Sequence, residues 1–316
     1  MQPSPGAVAP GPILLSVREL RIASAFMAAV RSASLQVSAG RITSVVGESG
    51  SGKTMLALSL IGLLPRGFRI TGGSAMLGHG EYEINLAGLR SRGWRNVRGR
   101  RIAMVFQEPM SSLNPVLNIG EQVVEAARQS ASGERATTVA FDALREAGLA
   151  DPARLMRSYP HELSGGMRQR VVIAIALACR PEVLIADEPT TALDVTVQAG
   201  VLDTIRSLAR NRGLGVVLIT HDLGLVSRYA DSVFVMRDGQ TIECGPTARV
   251  IDSPAHPYTR SLLRARPPLH ARMDVLPTVP DDGERAEVET GESVFDEVAS
   301  GHFVRDAPLS CAGVPR

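Results

Sequence analysis

Cysteine is scarce in this sequence, and its three copies lie far apart at Cys179, Cys244 and Cys311. They form no CxxC pair and have no histidine neighbours at metal-ligand spacing, which argues against a disulfide framework and a zinc site. Long apolar runs are missing too, and no basic residue precedes the short apolar stretch near the N-terminus. Neither a membrane span nor a signal peptide is therefore indicated. We expect a chain that is soluble by itself and works in a reducing compartment.

A strong excess of one charge is also absent, since 34 lysines and arginines face 32 aspartates and glutamates, for a formal net charge of +2. Such a chain has no overall field to attract nucleic acid or an anionic membrane, so no nucleic-acid partner is expected. Internal repeats and coiled-coil heptads are missing as well. The 316 residues, 44% of them apolar, can bury a sizeable core and suit one main domain with an appendage.

Short apolar runs alternate with helical patterns along the chain, which is typical of a layered α/β domain with a mainly parallel sheet. Four of these runs are predicted strands, at 42–46, 102–106, 183–186 and 216–220. Polar residues follow them directly: the stretch from Gly47, then Gln107, then Asp187 with Glu188, and finally His221. Because ligands of open α/β sheets bind outside the carboxyl ends of the strands, we expect these residues to meet in one crevice.

Composition divides the chain into three parts. Residues 1–12 are rich in proline, glycine and alanine and are expected to form a disordered leader. The main domain is predicted over 13–266, with a helical insertion at about 108–180 where proline and glycine interrupt helical patterns. Within that domain, Asp238-Gly239 lies between two alternating runs and predicts a β-hairpin. From 267 to 316, prolines and an acid-rich run predict a loosely ordered tail.

The strongest motif follows the first predicted strand and has the P-loop pattern GxxxxGK[ST], with a helical segment after it. Its glycines let backbone N–H groups turn toward phosphate oxygens, and its lysine supplies a positive charge to the terminal phosphates. The threonine hydroxyl is a suitable ligand for Mg²⁺ at a helix N-terminus. The motif therefore predicts a site for a nucleoside triphosphate with Mg²⁺. Its eight residues are Gly47, Glu48, Ser49, Gly50, Ser51, Gly52, Lys53 and Thr54.

Two carboxylates end the third predicted strand, at Asp187 and Glu188. In the general P-loop plan an aspartate at this place belongs beside the magnesium, which is the role predicted for Asp187. Glu188 is placed to orient or deprotonate the water that attacks the γ-phosphate. The P-loop and this strand together define only a large class of nucleotide-binding proteins, which includes GTPases, helicases and kinases.

The stretch Leu163-Ser164-Gly165-Gly166-Met167 opens a helical run, where backbone N–H groups are free to meet an anion. It resembles LSGGQ, the signature of the ABC (ATP-binding cassette) family, with Met167 in place of the glutamine. The resemblance implies that ATP is the nucleotide and that the signature closes over the ATP held by a facing subunit. It also implies an α/β fold, a P-loop NTPase ABC cassette with a mixed β-sheet core, an antiparallel β subdomain and an inserted α-helical subdomain.

Other positions of the family are carried over one at a time. Gln107 matches the Q-loop glutamine that contacts Mg²⁺ or the lytic water, and His221 matches the switch histidine that hydrogen-bonds the γ-phosphate. Asp194 resembles the D-loop aspartate, which faces the other subunit. The resemblance thus implies Glu188, His221 and Gln107 as catalytic residues, and Thr54, Gln107 and Asp187 as the Mg²⁺ ligands.

The adenine platform is less defined than the phosphate site. Family members stack adenine on an aromatic residue upstream of the P-loop, where this sequence is short. Ser24 stands at the expected place, and Phe26 is the only aromatic candidate nearby. Phe26 is equally consistent with a core residue.

Three further stretches, 107–115, 187–198 and 256–263, resemble the branch of peptide and nickel importers. The resemblance covers about 13–266 and implies a motor that works with a second ABC ATPase, two transmembrane permease subunits and an extracytoplasmic solute-binding protein. It places the chain at the cytoplasmic face of the bacterial inner membrane, with a short permease helix docked in a groove of the helical region after Gln107. Many members end in a cysteine-rich stretch that holds an iron–sulfur cluster, and the lone Cys311 predicts none here. Peptide, nickel, metallophore and opine all stay open as the solute.

Three alternatives stay beside this interpretation. A non-transport ABC ATPase, such as a subunit of a carbon–phosphorus lyase complex, shares the branch. A DNA-repair or chromosome-organising ATPase is disfavoured, because such chains carry long coiled coils and basic patches. A subunit that binds ATP without cleaving it is disfavoured by the presence of Glu188 and His221.

Overall fold

The computed structural model describes residues 11–107, 112–191, 193–265 and 295–305. The strands of these residues are β1 Ile13–Ala23, β2 Ala28–Ser38, β3 Ile42–Val46, β4 Arg69–Leu77, β5 Ile84–Asn85, β6 Ile102–Val105, β7 Val183–Asp187, β8 Gly215–Ile219, β9 Ser232–Arg237, β10 Gln240–Pro246, β11 Phe295–Ala299 and β12 His302–Arg305. Their α-helices are α1 Lys53–Leu60, α2 Ile119–Ala127, α3 Glu134–Glu146, α4 Pro152–Leu155, α5 Gly165–Ala178, α6 Val195–Arg212, α7 Leu223–Tyr229, α8 Thr247–Asp252 and α9 Pro257–Arg264.

The centre of the sheet is parallel, because β3 pairs with β8 and β9, and β7 pairs with β6 and β8. Every residue of β3, β7 and β8 is buried. Alternate side chains of β7 enter two apolar clusters: Leu184 and Ala186 pack with α2, α3, α5 and α6, whereas Val183 and Ile185 pack with α1. Such two-sided covering explains why these strands are continuous apolar runs in the sequence. All four strands predicted from those runs are confirmed.

Antiparallel strands extend the sheet on one side, and ten of its twelve described strands follow the order β5-β4-β1-β2-β10-β9-β3-β8-β7-β6. The long strands β1 and β2 pair with each other, and β4 adds to the other edge of β1. The predicted mixed sheet with an antiparallel part is therefore confirmed. The predicted hairpin is confirmed as well, since β9 and β10 are antiparallel and Asp238 and Gly239 both have positive φ, 48° and 76°.

Helices α2 to α5 occupy the region predicted as a helical insertion, and the described residues 112–178 contain no strand. The helix α2 starts with a capping box, in which the Asn118 side chain accepts from the Glu121 N–H and the Glu121 carboxylate accepts from the Asn118 N–H. The bounds of the insertion and of the main domain stay predictions, and residues 108–111 lie outside the described residues.

The expectation of a loosely ordered tail is wrong for residues 295–305. Here β11 and β12 form a hairpin, and β12 pairs with β10 through Glu243↔Val304 and Cys244↔Phe303. The partner strand lies about sixty residues earlier in the chain, so composition alone did not show the pairing. The rest of the predicted tail, with Cys311, and residues 1–10 of the predicted leader lie outside the described residues. Among the described helices, none combines the length and apolarity needed to cross a bilayer.

Candidate functional site

The carboxyl ends of β3, β6, β7 and β8 meet at a cleft of about 540 Å³, as the positions of the polar residues predicted. The P-loop enters from β3, Gln107 follows β6, and Glu188 follows β7. The predicted residues that line the cleft are Ser49, Gly50, Gly52, Lys53, Thr54, Gln107, Asp187, Glu188 and His221.

The P-loop backbone turns where only glycine fits. Gly47 has φ 151°, and a Cβ there would lie 2.1 Å from the Met236 carbonyl oxygen. Gly52 has φ 97°, and a Cβ there would lie 2.7 Å from the Ala29 carbonyl oxygen. Helix α1 begins directly after Gly52, which provides no side-chain cap. The first N–H groups of α1 are thus available for an anion at the positive end of the helix dipole.

Lys53 is buried under the P-loop with its ammonium group close to backbone oxygens. Its Nζ donates to Gly47 O at 2.9 Å, to Glu48 O at 2.6 Å and to Ser51 Oγ at 3.2 Å. Burial lowers the pKa of Lys53, while the neighbouring carboxylates Glu188 and Asp187 act against this shift. The ammonium therefore lies between the loop and the two acids that end β7.

The Asp187 carboxylate and the Thr54 hydroxyl both line the cleft and hydrogen-bond each other. Asp187 is 5% exposed. Burial raises the pKa of Asp187, and a hydrogen bond from Thr54 and the charge of Lys53 act in the opposite direction. Carboxylate and hydroxyl oxygens are the ligands that Mg²⁺ takes from proteins, so the donor set fits the predicted metal. Gln107 lines the same cleft and adds a third oxygen donor.

Glu188 has the largest set of hydrogen bonds among the predicted catalytic residues. Its carboxylate accepts from Thr191 Oγ1 at 2.8 Å and Gln107 Nε2 at 3.3 Å, and it lies 2.8 Å from His221 Nδ1. Burial alone would raise its pKa, but the hydrogen bonds from His221 and Thr191 outweigh burial and leave the pKa of Glu188 lowered. The residue also has φ 45°, a strained value for a side chain with a Cβ. The carboxylate is therefore ionised at neutral pH and fixed toward the cleft.

Three predicted P-loop residues, Gly47, Glu48 and Ser51, do not line the cleft and instead hydrogen-bond the Lys53 ammonium. The other four predicted residues lie away from the cleft. Ser164 caps α5 by accepting from the Met167 N–H at 3.3 Å, and Asp194 caps α6 by accepting from the Val197 N–H at 3.0 Å. The two helix starts touch each other, because a Cβ on Gly166 would lie 2.3 Å from Val197 Cγ1. The exposed residues Ser164, Gly165 and Asp194 thus form a second surface over the buried Gly166, which we call the signature surface. Ala192, next to it, lies outside the described residues.

Neither candidate for the adenine platform lines the cleft. Phe26 is 98% exposed and does not line the cleft, while the Ser24 hydroxyl closes a turn by accepting from the Phe26 and Met27 N–H groups. The apolar wall of the cleft comes from Met27 and from Phe68, which directly precedes β4. Phe68 was missed because it stands after the P-loop in sequence and belongs to no motif.

Comparisons with known proteins identify relatives of this chain. The family model described as ABC transporter matches residues 30–191, and the model described as oligopeptide/dipeptide transporter, C-terminal region, matches residues 242–292. The glutathione import ATP-binding protein GsiA of Escherichia coli K12 is 46% identical over 268 residues, which are 82% of this chain and 43% of that protein. Its counterpart in Salmonella paratyphi A is 47% identical over 247 residues, which are 77% of this chain and 40% of that protein. The chain thus spans less than half the length of these relatives.

Solved structures resemble the chain as well. The dimeric bacterial ABC transporter cassette MJ0796 superposes with a TM-score of 0.63 at 27% identity, over 74% of this chain and 99% of that one. The protein cbiO1 of Clostridium perfringens, part of the ABC transporter complex cbiONQ, gives a TM-score of 0.67 at 27% identity, over 76% of this chain and 91% of that one.

Proposed function

Because the chain belongs to the ABC transporter family, we propose that it binds and hydrolyses ATP and powers the import of peptides or related small solutes. The observation that carries the hydrolytic part is the ionised Glu188 carboxylate, held at the P-loop cleft by Gln107, Thr191 and His221. Strained backbone conformations cluster at functional sites, and Glu188 combines a φ of 45° with these three side-chain partners.

Different residues of the cleft take different roles in the proposed hydrolysis of ATP. The N–H groups of the P-loop and the Lys53 ammonium bind the β- and γ-phosphates. Thr54, Asp187 and Gln107 would hold Mg²⁺, which when bound neutralises phosphate charge. Glu188 accepts a proton from water as the water oxygen attacks the γ-phosphorus, and the bond to the β–γ bridging oxygen breaks to give ADP and phosphate. His221 is placed to hydrogen-bond the γ-phosphate oxygens while it keeps Glu188 oriented.

The importer part of the proposal rests on different observations. The two relatives reported above are named as glutathione import proteins, and the second family model is that of oligopeptide and dipeptide transporters. An apolar groove lies between β6 and α5, with Phe106 39% and Leu63 44% exposed. Its volume of about 540 Å³ and its apolar lining suit a short amphipathic helix of a membrane subunit. We place the chain at the cytoplasmic face of the bacterial inner membrane, with two permease subunits, a second ABC ATPase and a solute-binding protein as partners.

The test is the ATPase rate of the chain co-expressed with its membrane and ATPase partners, comparing wild type with Glu188→Gln. We expect Mg²⁺-dependent hydrolysis that rises when solute-loaded binding protein is added, and a rate at least about a hundredfold lower in the variant, with ATP binding retained. Glu182→Gln is the matched control, because Glu182 precedes β7 at the end opposite Glu188 and pairs with Arg101.

The outcomes separate the parts of the proposal. Equal rates for wild type and Glu188→Gln would show that Glu188 is not the base and that this chain does not hydrolyse ATP as proposed. Hydrolysis that depends on Glu188 but ignores every binding protein and membrane partner would instead favour a non-transport ATPase.

A further inference from the structure

Tyr258, on α9, contacts the P-loop from outside the nucleotide cleft. Its hydroxyl oxygen accepts a hydrogen bond from the Glu48 N–H at 3.2 Å, although the two residues are 210 positions apart. The side chain is 3% exposed. Burial raises the pKa of Tyr258 to about 12, so the phenol is neutral at physiological pH. A buried, neutral hydroxyl is a fixed acceptor for a backbone donor.

The peptide group that Tyr258 binds also holds Lys53. The Glu48 N–H and the Gly47 carbonyl belong to one planar peptide, and Lys53 Nζ donates to the Gly47 oxygen at 2.9 Å. The N–H of this peptide is therefore fixed by Tyr258, and its carbonyl oxygen accepts a hydrogen bond from the ammonium group that is proposed to bind phosphate. Rotation of the plane would move the Gly47 oxygen and with it the position of Lys53.

Gly47 has no side chain that could restrain this plane. Its φ of 151° is open only to glycine here, and the Met236 carbonyl fills the space where a Cβ would stand. An external hydrogen bond is thus the restraint that the structure supplies. The neighbouring hairpin helps, because Arg237 stacks on the Tyr258 ring at 4.9 Å and the Gly239 N–H donates to the Ser51 carbonyl at 3.1 Å.

The start of α9 is itself anchored on a buried carboxylate. Glu243 is 0% exposed and accepts from the Ala255 N–H at 2.8 Å and the His256 N–H at 3.1 Å. His256 then caps α9, since its Nδ1 accepts from the Tyr258 N–H at 3.0 Å. The same carboxylate lies 2.7 Å from His302 Nε2 on β12. The start of α9, and with it the backbone of Tyr258, is therefore held in place by buried hydrogen bonds.

We propose that Tyr258 is a positioning residue for nucleotide binding, which holds the Gly47–Glu48 peptide so that Lys53 meets the phosphates of ATP. This inference rests on the proposed function and deepens it. Tyr258 touches no substrate and acts through the loop. The competing explanation is that the Tyr258 ring only fills the apolar cluster it shares with Val226 and Val250.

Tyr258→Phe separates the two explanations, because it keeps the ring and removes the hydroxyl. The matched control is Tyr229→Phe. Tyr229 is also 3% exposed, lies under Arg206 and Arg228, and has one backbone hydrogen bond, from its hydroxyl to Ala199 O at 3.3 Å. We expect Tyr258→Phe in the full chain to weaken Mg²⁺-ATP binding about fivefold to tenfold, measured by calorimetry, while Tyr229→Phe binds as wild type does.

Amide hydrogen exchange of the segment 47–52 gives a second readout. We expect faster exchange there in Tyr258→Phe and unchanged exchange in Tyr229→Phe, at similar urea midpoints for both variants. Wild-type affinity and wild-type exchange in Tyr258→Phe would overturn the inference and leave Tyr258 as a core residue. If wild type itself did not bind ATP, the proposed function would fail first, and the inference with it.

Discussion

Replacement of His302 by alanine tests whether the C-terminal hairpin is an integral part of the fold. His302 is 2% exposed, and its Nε2 lies 2.7 Å from the carboxylate of the fully buried Glu243. The variant removes this partner and leaves Glu243 Oε1 with the Ala255 N–H as its remaining described donor. It also empties the space of an imidazole ring between β12 and β10.

The expected loss follows from these two effects. A hydrogen bond to a charged group contributes roughly 1.5–3 kcal/mol, and removal of a partner from a buried group forfeits that contribution. The vacated ring volume adds roughly 1 kcal/mol, at the low end for a buried large-to-small change, because the hairpin lies at an edge and can relax. We therefore expect His302→Ala to lower the free energy of unfolding by about 3 kcal/mol.

Urea unfolding of the full chain, followed by circular dichroism, measures this loss. The control is Val298→Ala on the paired strand β11, where Val298 is 52% exposed and the change should stay within about 0.5 kcal/mol. The slope with urea should not change, since the same surface is exposed on unfolding. Equal midpoints for His302→Ala and wild type would refute the reasoning and show that β12 does not hold Glu243 in solution.

Two further substitutions are expected to change the stability of the fold, or its pH dependence, in a known direction. Gly166→Ala places a Cβ 2.3 Å from Val197 Cγ1 and should lower stability by about 2 kcal/mol in urea unfolding, whereas Gly88→Ala, with nothing within 4 Å, should be neutral. Burial lowers the pKa of His256, so its neutral form stabilises the fold above pH 6.5 and that contribution is lost as pH falls through the lowered pKa. His256→Asn supplies a capping oxygen in place of Nδ1 and should flatten the fall in melting temperature between pH 7.5 and 5, whereas the exposed His161→Asn should not. An unchanged pH profile in His256→Asn would contradict this assignment.

The parallel core and the P-loop cleft were predictable because their patterns are local. Strands buried on both faces appear in the sequence as short apolar runs, and the polar residue after each run marks the edge where ligands bind. The P-loop glycines are recognised from the motif pattern alone, and the structure adds a reason for Gly47, where a Cβ would lie 2.1 Å from the Met236 carbonyl oxygen. Gln107, Asp187, Glu188 and His221 were therefore found from their order along the chain.

The C-terminal hairpin and the role of Tyr258 were not predictable in the same way. Residues 295–305 alternate weakly and follow an acid-rich segment, and their pairing depends on a carboxylate in β10. Tyr258 was recognised only as part of a resembling stretch, because its contact with Glu48 spans 210 positions. Each of these features is a tertiary contact without a local pattern.

The signature surface bears on whether one chain forms a complete site. Ser164 and Asp194 were predicted to contact nucleotide, yet the cleft that holds Lys53 and Glu188 is lined by neither of them. The resemblance implies this separation, because the signature is expected to close over ATP held by a facing subunit and Asp194 is expected to face that subunit. The N–H groups at the start of α5 are only partly satisfied by the Ser164 cap and suit an anion presented from outside. A dimeric cassette is among the structures that superpose on this chain, and a facing second cassette stays the prediction for this surface.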